Sequence, residues 1–218
     1  IVETQLNGTE LSFKTQSDNI LREYIAWQTD KSVDQIDIKS FQSVVNQNLH
    51  GLSSQDMIII SPTELIPEAQ RLADFHIDEG LRVEVVDPIY IYNEYSSGTP
   101  DATAYRRFMK MFYDRSVDEN DKPKYLLLFG DGSYDNRFIT ADWIKTDKKN
   151  YLLTYQTQES LDSYSFVVDD YFGFLDDNSG QYVKYDTVWL GIGRFPVPPL
   201  TKVPVLVLIV IKHAYATA

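Results

Sequence analysis

Met57-Ile58-Ile59-Ile60-Ser61-Pro62-Thr63-Glu64 is the stretch on which the fold turns. Four consecutive apolar residues mark a strand buried on both faces, which is the habit of parallel sheets. Ser61-Pro62 then opens a helix, because a cap residue followed by Pro in the first turn satisfies helix-start chemistry. Leu65, Ala69 and Leu72, with Ala73 or His76, recur at helical spacing, and Gly80 sits where a C-terminal cap belongs. The helix is expected over Pro62–Glu79, followed by a strand at Arg82–Val86. Thr99-Pro100-Asp101 starts a second helix, Pro100–Arg115, with Ala104, Phe108, Met111 and Phe112 as its apolar stripe. Lys124–Phe129 is the third strand, ending at Gly130-Asp131-Gly132, and Val188–Ile192 reads as a fourth. Strands alternating with helices predict an α/β fold, a mainly parallel sheet with helices on both faces.

Outward from this core the patterns weaken. Ile1–Leu6, Glu10–Lys14 and Leu21–Trp27 are short extended runs, separated by turn signals at Asn7-Gly8 and Ser17-Asp18-Asn19. Lys31–Lys39 resembles a linker. Residues 1–45 are therefore expected to form the end of a β-rich domain and a linker, and residues 46–218 the α/β unit. Ser133 to Asp186 is rich in Tyr and Asp and reads as a surface insertion containing hairpins. Val203–Ile211 is too short to span a bilayer and reads as a buried strand. The first residues are Ile1-Val2-Glu3-Thr4, without Met or a basic region leading into an apolar one, so a fragment or processed product is expected.

Composition narrows the chemistry. With 20 basic and 32 acidic residues among 218, the formal charge is −12, which argues against nucleic acid as a partner. The cysteine count is zero, so there is no disulfide, no Cys-based zinc site and no thiolate nucleophile in these residues. Gly-x-Ser-x-Gly, P-loop and dinucleotide-binding patterns do not occur. His50, His76 and His213 have no metal-binding spacing; His50 reads as a turn residue and His76 as a partly buried structural one.

In such sheets ligands bind beyond the C-terminal ends of the strands. Gly130 to Asn136 and Ser61 to Glu64 occupy those places. Asp131, Asp135, Asp169 and Asp170 are candidate metal ligands, since calcium prefers several carboxylate oxygens. Two readings stand for this acidic rim: calcium, or turn capping with ion pairs in which Arg137 and Arg194 neutralise the carboxylates. Asp176-Asp177-Asn178-Ser179-Gly180 lacks the EF-hand pattern and reads as a turn.

Longer strings point to a family. These are Asn46 to Leu52, Asp56 to Pro62, Tyr92 to Lys110, and Tyr125 to Asn136 with its Gly130-Asp131-Gly132-Ser133-Tyr134-Asp135-Asn136. Val168-Asp169-Asp170-Tyr171-Phe172-Gly173 and Gly191-Ile192-Gly193-Arg194-Phe195-Pro196-Val197 follow in order. Over roughly residues 20 to 200 the chain resembles the gingipain-type cysteine peptidases, in particular the sortase of the type IX secretion system. The resemblance implies a caspase-like domain of two α/β subdomains, of which this chain is the first and non-catalytic one. The family's Thr-Gly-His-Gly-like loop and Ala-Cys-x-x-Gly-like strand end, which carry the catalytic His and Cys, are absent here, so no catalytic residue is assigned. Beyond Pro198 the family has an amphipathic helix, from which this sequence departs. For the intact protein the resemblance implies protein cargo with a C-terminal sorting signal, a surface anchor, an outer-membrane barrel partner, and a place on the outer surface of a Gram-negative outer membrane. It requires no cofactor, and no transmembrane segment is expected in this chain. The alternative from the residues alone is a non-enzymatic surface-binding module with a Tyr-rich insertion.

Overall fold

The computed structural model describes residues 4–14, 43–44, 46–141, 144–145, 149–156, 167–180 and 186–196. Leu21–Trp27, Lys31–Lys39 and Val203–Ile211 lie outside these described residues. The fold divides into two units between Val45 and Asn46. In the first, β1 (Thr4–Asn7) and β2 (Glu10–Phe13) form an antiparallel hairpin with Asn7 opposite Glu10. Asn7 is thus the last strand residue, and Gly8, at φ +64°, begins the two-residue loop. A glycine is favoured there because positive φ brings no Cβ clash.

The second unit carries the sheet. β3 (Met57–Ile60) leads through a short 3-10 turn, Thr63–Leu65, into α1 (Ile66–Asp78) and then β4 (Val83–Val86). Two helices follow, α2 (Pro88–Tyr95) and α3 (Ala102–Arg115), then β5 (Tyr125–Phe129). β6 (Tyr155–Gln156) and β7 (Val167–Val168) pair antiparallel inside the insertion, and β8 (Gly191–Phe195) returns to the main sheet. The order is β4-β3-β5-β8 with every pairing parallel.

Alternation along the strands splits the core in two. Ile58, Ile60, Leu126 and Leu128 face α2 and α3, where Ile91, Tyr105, Phe108 and Met109 are fully buried. Met57, Ile59 and Phe129 face α1, through Ala69, Leu72 and Ala73. Helices therefore cover both faces, as the continuous apolar strands require.

Two sequence expectations are corrected and one helix is added. The helix expected from Pro62 becomes α-helical only at Ile66, because Thr63–Leu65 forms the tighter 3-10 turn. α2 was unforeseen, although its signal is present: the Asp87 carboxylate accepts from Ile89 N at 2.9 Å and Pro88 fills the first turn. The last strand is Gly191–Phe195 rather than Val188–Ile192. Pairing sets that register: Gly191 lies opposite Tyr125, and a Cβ at Gly191 would sit 3.2 Å from the Tyr125 ring, whereas Val188 and Trp189 stay 41% exposed.

At the opposite end of the sheet, Asp56 ties three strands. Its buried carboxylate accepts from Arg82 N at 3.0 Å and Nε at 2.8 Å and pairs with Lys124 at 2.8 Å. The Arg82 bond leads the contacts that hold Asp56 far below the usual carboxylate range, against the opposing effect of burial.

Candidate functional site

The chain leaves β3 toward β4 on one side and later crosses to β5 on the other. This reversal makes a switch point at the C-terminal ends of β3 and β5, where open α/β sheets place their ligand crevice. On the β3 side the crevice is filled by local caps. Ser61 is fully buried and donates its N–H to Val86 O at 3.0 Å, and Thr63 Oγ1 donates to the Asp87 carboxylate that caps α2.

The loop after β5 is the more elaborate element. Asp131 N donates to Asn150 O and Leu152 N to Asp131 O, both at 2.8 Å, so residues 150–152 extend the sheet beside it. Gly132 permits a close approach: a Cβ there would lie 2.8 Å from Thr154 Cγ2 and 3.2 Å from Arg194 Cζ. Asn136 clamps Thr154, accepting its N–H at 3.0 Å and donating to its carbonyl at 2.8 Å. Sequence reasoning missed this side-chain imitation of a strand ladder, because nothing in the local sequence announces a partner 18 residues away.

The four candidate ligands do not converge. Asp135 is buried and closes its own loop, accepting from Thr140 N and Ile139 N at 2.8 Å, Thr140 Oγ1 at 2.9 Å and Arg137 N at 3.2 Å. The Thr140 backbone bond is the leading cause that lowers its pKa. Asp169 forks onto Arg194, with both contacts at 2.8 Å. Asp131 Oδ1 accepts from Gly132 N at 2.8 Å, and Asp170 begins the 3-10 turn Asp170–Gly173. Among the described residues no group of three or more His, Asp or Glu side chains is placed to hold a metal ion.

Arg194 binds the rim together. Its side chain is 14% exposed and, besides Asp169, donates to the carbonyls of Asp131, Leu152 and Leu153 at 3.1, 3.4 and 3.0 Å. One guanidinium thereby joins β8, the loop after β5 and the insertion. Arg106 fastens the insertion to α3, donating to Phe174 O at 2.6 Å and Ser179 O at 3.0 Å while standing 5.6 Å over the Tyr171 ring. Tyr171 in turn stacks on Tyr155, with ring centroids 3.5 Å apart.

The polar groups with acid–base potential are engaged in local contacts. His50 lies in the 3-10 turn Leu49–Gly51 and sits 2.5 Å from Glu94, which also accepts from Gln47 Nε2, Leu49 N and His50 N. Burial opposes ionisation of Glu94, but these hydrogen bonds prevail and hold its pKa down at about 2. The Tyr92 and Tyr105 hydroxyls meet at 2.5 Å inside the core; burial pushes Tyr105 up to about 12 and Tyr92 higher still. Both phenols stay protonated at neutral pH. The Ser133 hydroxyl accepts from Asp135 N at 3.0 Å, and the two described histidines pair elsewhere, His50 with Glu94 and His76 with Glu79.

The open sheet thus ends in a rim whose segments are tied together by Arg194. The chain belongs to peptidase family C25, the family of the gingipains, whose model matches residues 50–213. It is similar in structure to dimeric latent PorU from Porphyromonas gingivalis, solved by crystallography, with 43% identity and a TM-score of 0.70. The match covers 78% of this chain and 16% of that one, so the chain spans about one sixth of the solved protein it matches. Comparison with curated proteins finds no match. Among the described residues no helix is long and apolar enough to cross a membrane.

Proposed function

We propose that this chain is the supporting, non-catalytic α/β subdomain of a gingipain-like cysteine peptidase that works as a sortase of type IX secretion. The carrying observation is the C25 match over residues 50–213 in a stretch that contains no cysteine. In the intact protein a thiolate supplied from outside these residues attacks the peptide carbonyl at a C-terminal sorting signal. A histidine, likewise outside them, acts as base and acid, and the acyl group passes to an anchor amine or to water. The protein then sits at the outer face of the outer membrane beside a barrel partner. The present residues supply the sheet against which such a second subdomain is set, and the rim held by Arg194.

The surface-binding alternative rests on the 15 tyrosines and the Tyr-rich insertion; within that insertion Tyr171 is buried and stacks on Tyr155, while Tyr134 is 54% exposed.

The test uses the intact protein and a secreted cargo bearing its C-terminal signal. Cleavage abolished by prior thiol alkylation, with none by residues 1–218 alone, is the expected result. Cleavage that survives alkylation, or cleavage by residues 1–218 alone, refutes the assignment.

A further inference from the structure

Arg137 stands apart from the other described arginines. Arg71, Arg82 and Arg194 pair with carboxylates, and Arg106, Arg107 and Arg115 donate to backbone carbonyls. The Arg137 backbone N–H bonds Asp135, but its exposed guanidinium makes no hydrogen bond or ion pair among the described residues.

Its position gives it a use. Arg137 lines a cavity of about 700 Å³, bounded by Thr99–Thr103 at the start of α3 and by Leu153–Gln156. With Asn136 and Leu153 it also lines an adjoining cavity of about 200 Å³ floored by Phe138 and Tyr151. The walls are fixed by contacts already described: Asp135 holds the loop that carries Arg137, Asn136 clamps Thr154, and Arg194 fixes Leu153. Tyr171 Oη donates to Thr103 Oγ1 at 3.3 Å, tying the α3 wall to the insertion. Asp101, the carboxylate in the groove, is engaged as the α3 cap through Thr103 N at 2.8 Å.

We propose that this groove takes an extended peptide by a carboxylate, with Arg137 as the recognition residue. A guanidinium fork matches a carboxylate in two parallel bonds. The volume lies within the range of ligand sites. An extended segment presents alternate side chains to a groove of this kind, and Pro100, Ala102, Leu153 and Tyr155 give it apolar walls. Lysine is missing from the lining, and no glycine-rich turn supplies converging amides, which separates the site from a phosphate cradle. The inference concerns binding by this unit and stands apart from the reaction of the intact protein.

Fluorescence anisotropy on the full-length protein tests it, with three pools of octapeptides of randomised flanks. One pool has a central Asp and a C-terminal amide, one a central Asn and a free C-terminal acid, and one a central Asn and an amide. A carboxylate pool is expected to bind at least about tenfold tighter than the neutral pool, the scale of one hydrogen-bonded charge. Whichever carboxylate pool wins identifies a side-chain or a terminal source. Arg137→Gln abolishes the advantage and Arg137→Lys retains part of it, both with an unchanged thermal midpoint. Equal binding of the three pools, an advantage that persists in Arg137→Gln, or binding of inorganic phosphate without peptide discrimination overturns the proposal.

Discussion

Replacing Arg194 by Met is the most direct test of how the rim is built. The substitution keeps the aliphatic stem and removes five contacts: two to Asp169 and one each to the carbonyls of Asp131, Leu152 and Leu153. Removing one member of a buried ion pair destabilises by roughly 3–5 kcal/mol, because the remaining charge stays desolvated. Here Asp169 keeps 23% exposure, and Asp131 O still accepts from Leu152 N, so the lower end, about 3 kcal/mol, is expected. Hydrogen exchange reads this locally. The amide of Leu152, whose acceptor Asp131 O lies inside the network, should exchange roughly a hundredfold faster, at about 1.4 kcal/mol per factor of ten. Arg194→Lys keeps the charge but not the fork and should fall between the two. An acceleration below about fivefold would mean that the network contributes no more than an exposed ion pair, and the rim must then be held by its apolar contacts.

Gly132→Ala places a Cβ against Thr154 and Arg194 and should lower stability by about 1–3 kcal/mol in urea titration; an unchanged midpoint refutes the close approach. Glu84, half-buried on β4 and without a hydrogen bond or ion pair among the described residues, has its pKa raised by burial. A raised folded pKa gives stability that is present below the unfolded carboxyl pKa and lost as pH rises through the folded one. Glu84→Gln should therefore raise the urea midpoint at pH 7, with the gain shrinking toward pH 4; a gain that does not shrink contradicts the burial argument. Because Arg194 already neutralises Asp169 and Asp135 is spent on its own loop, millimolar calcium should leave the thermal midpoint where chelator leaves it. A midpoint that climbs with calcium would restore the acidic rim as a cation site.

Much of the fold follows from local chemistry. The apolar run Met57–Ile60 requires cover on both faces, Pro and Asp place the helix starts, and Gly80, at φ +96°, closes α1. Those are properties of neighbouring residues, and they hold whatever the rest of the chain does. The glycines of β8 look like turn residues when read locally. They form a strand because β5 supplies a parallel partner and the Tyr125 ring needs room. The acidic residues were legible as a group, but their fates were not. Asp135 caps a loop, Asp169 meets an arginine 25 residues away, and Arg137, without a side-chain partner among the described residues, lines a groove. Sequence alone determined β3, β4 and β5, the first and third helices and the missing thiol, since these depend on periodicity and composition. Which charge neutralises which, and where a cation stays available, was decided only by tertiary structure, because ion pairing acts over a few ångströms between segments that the sequence holds far apart.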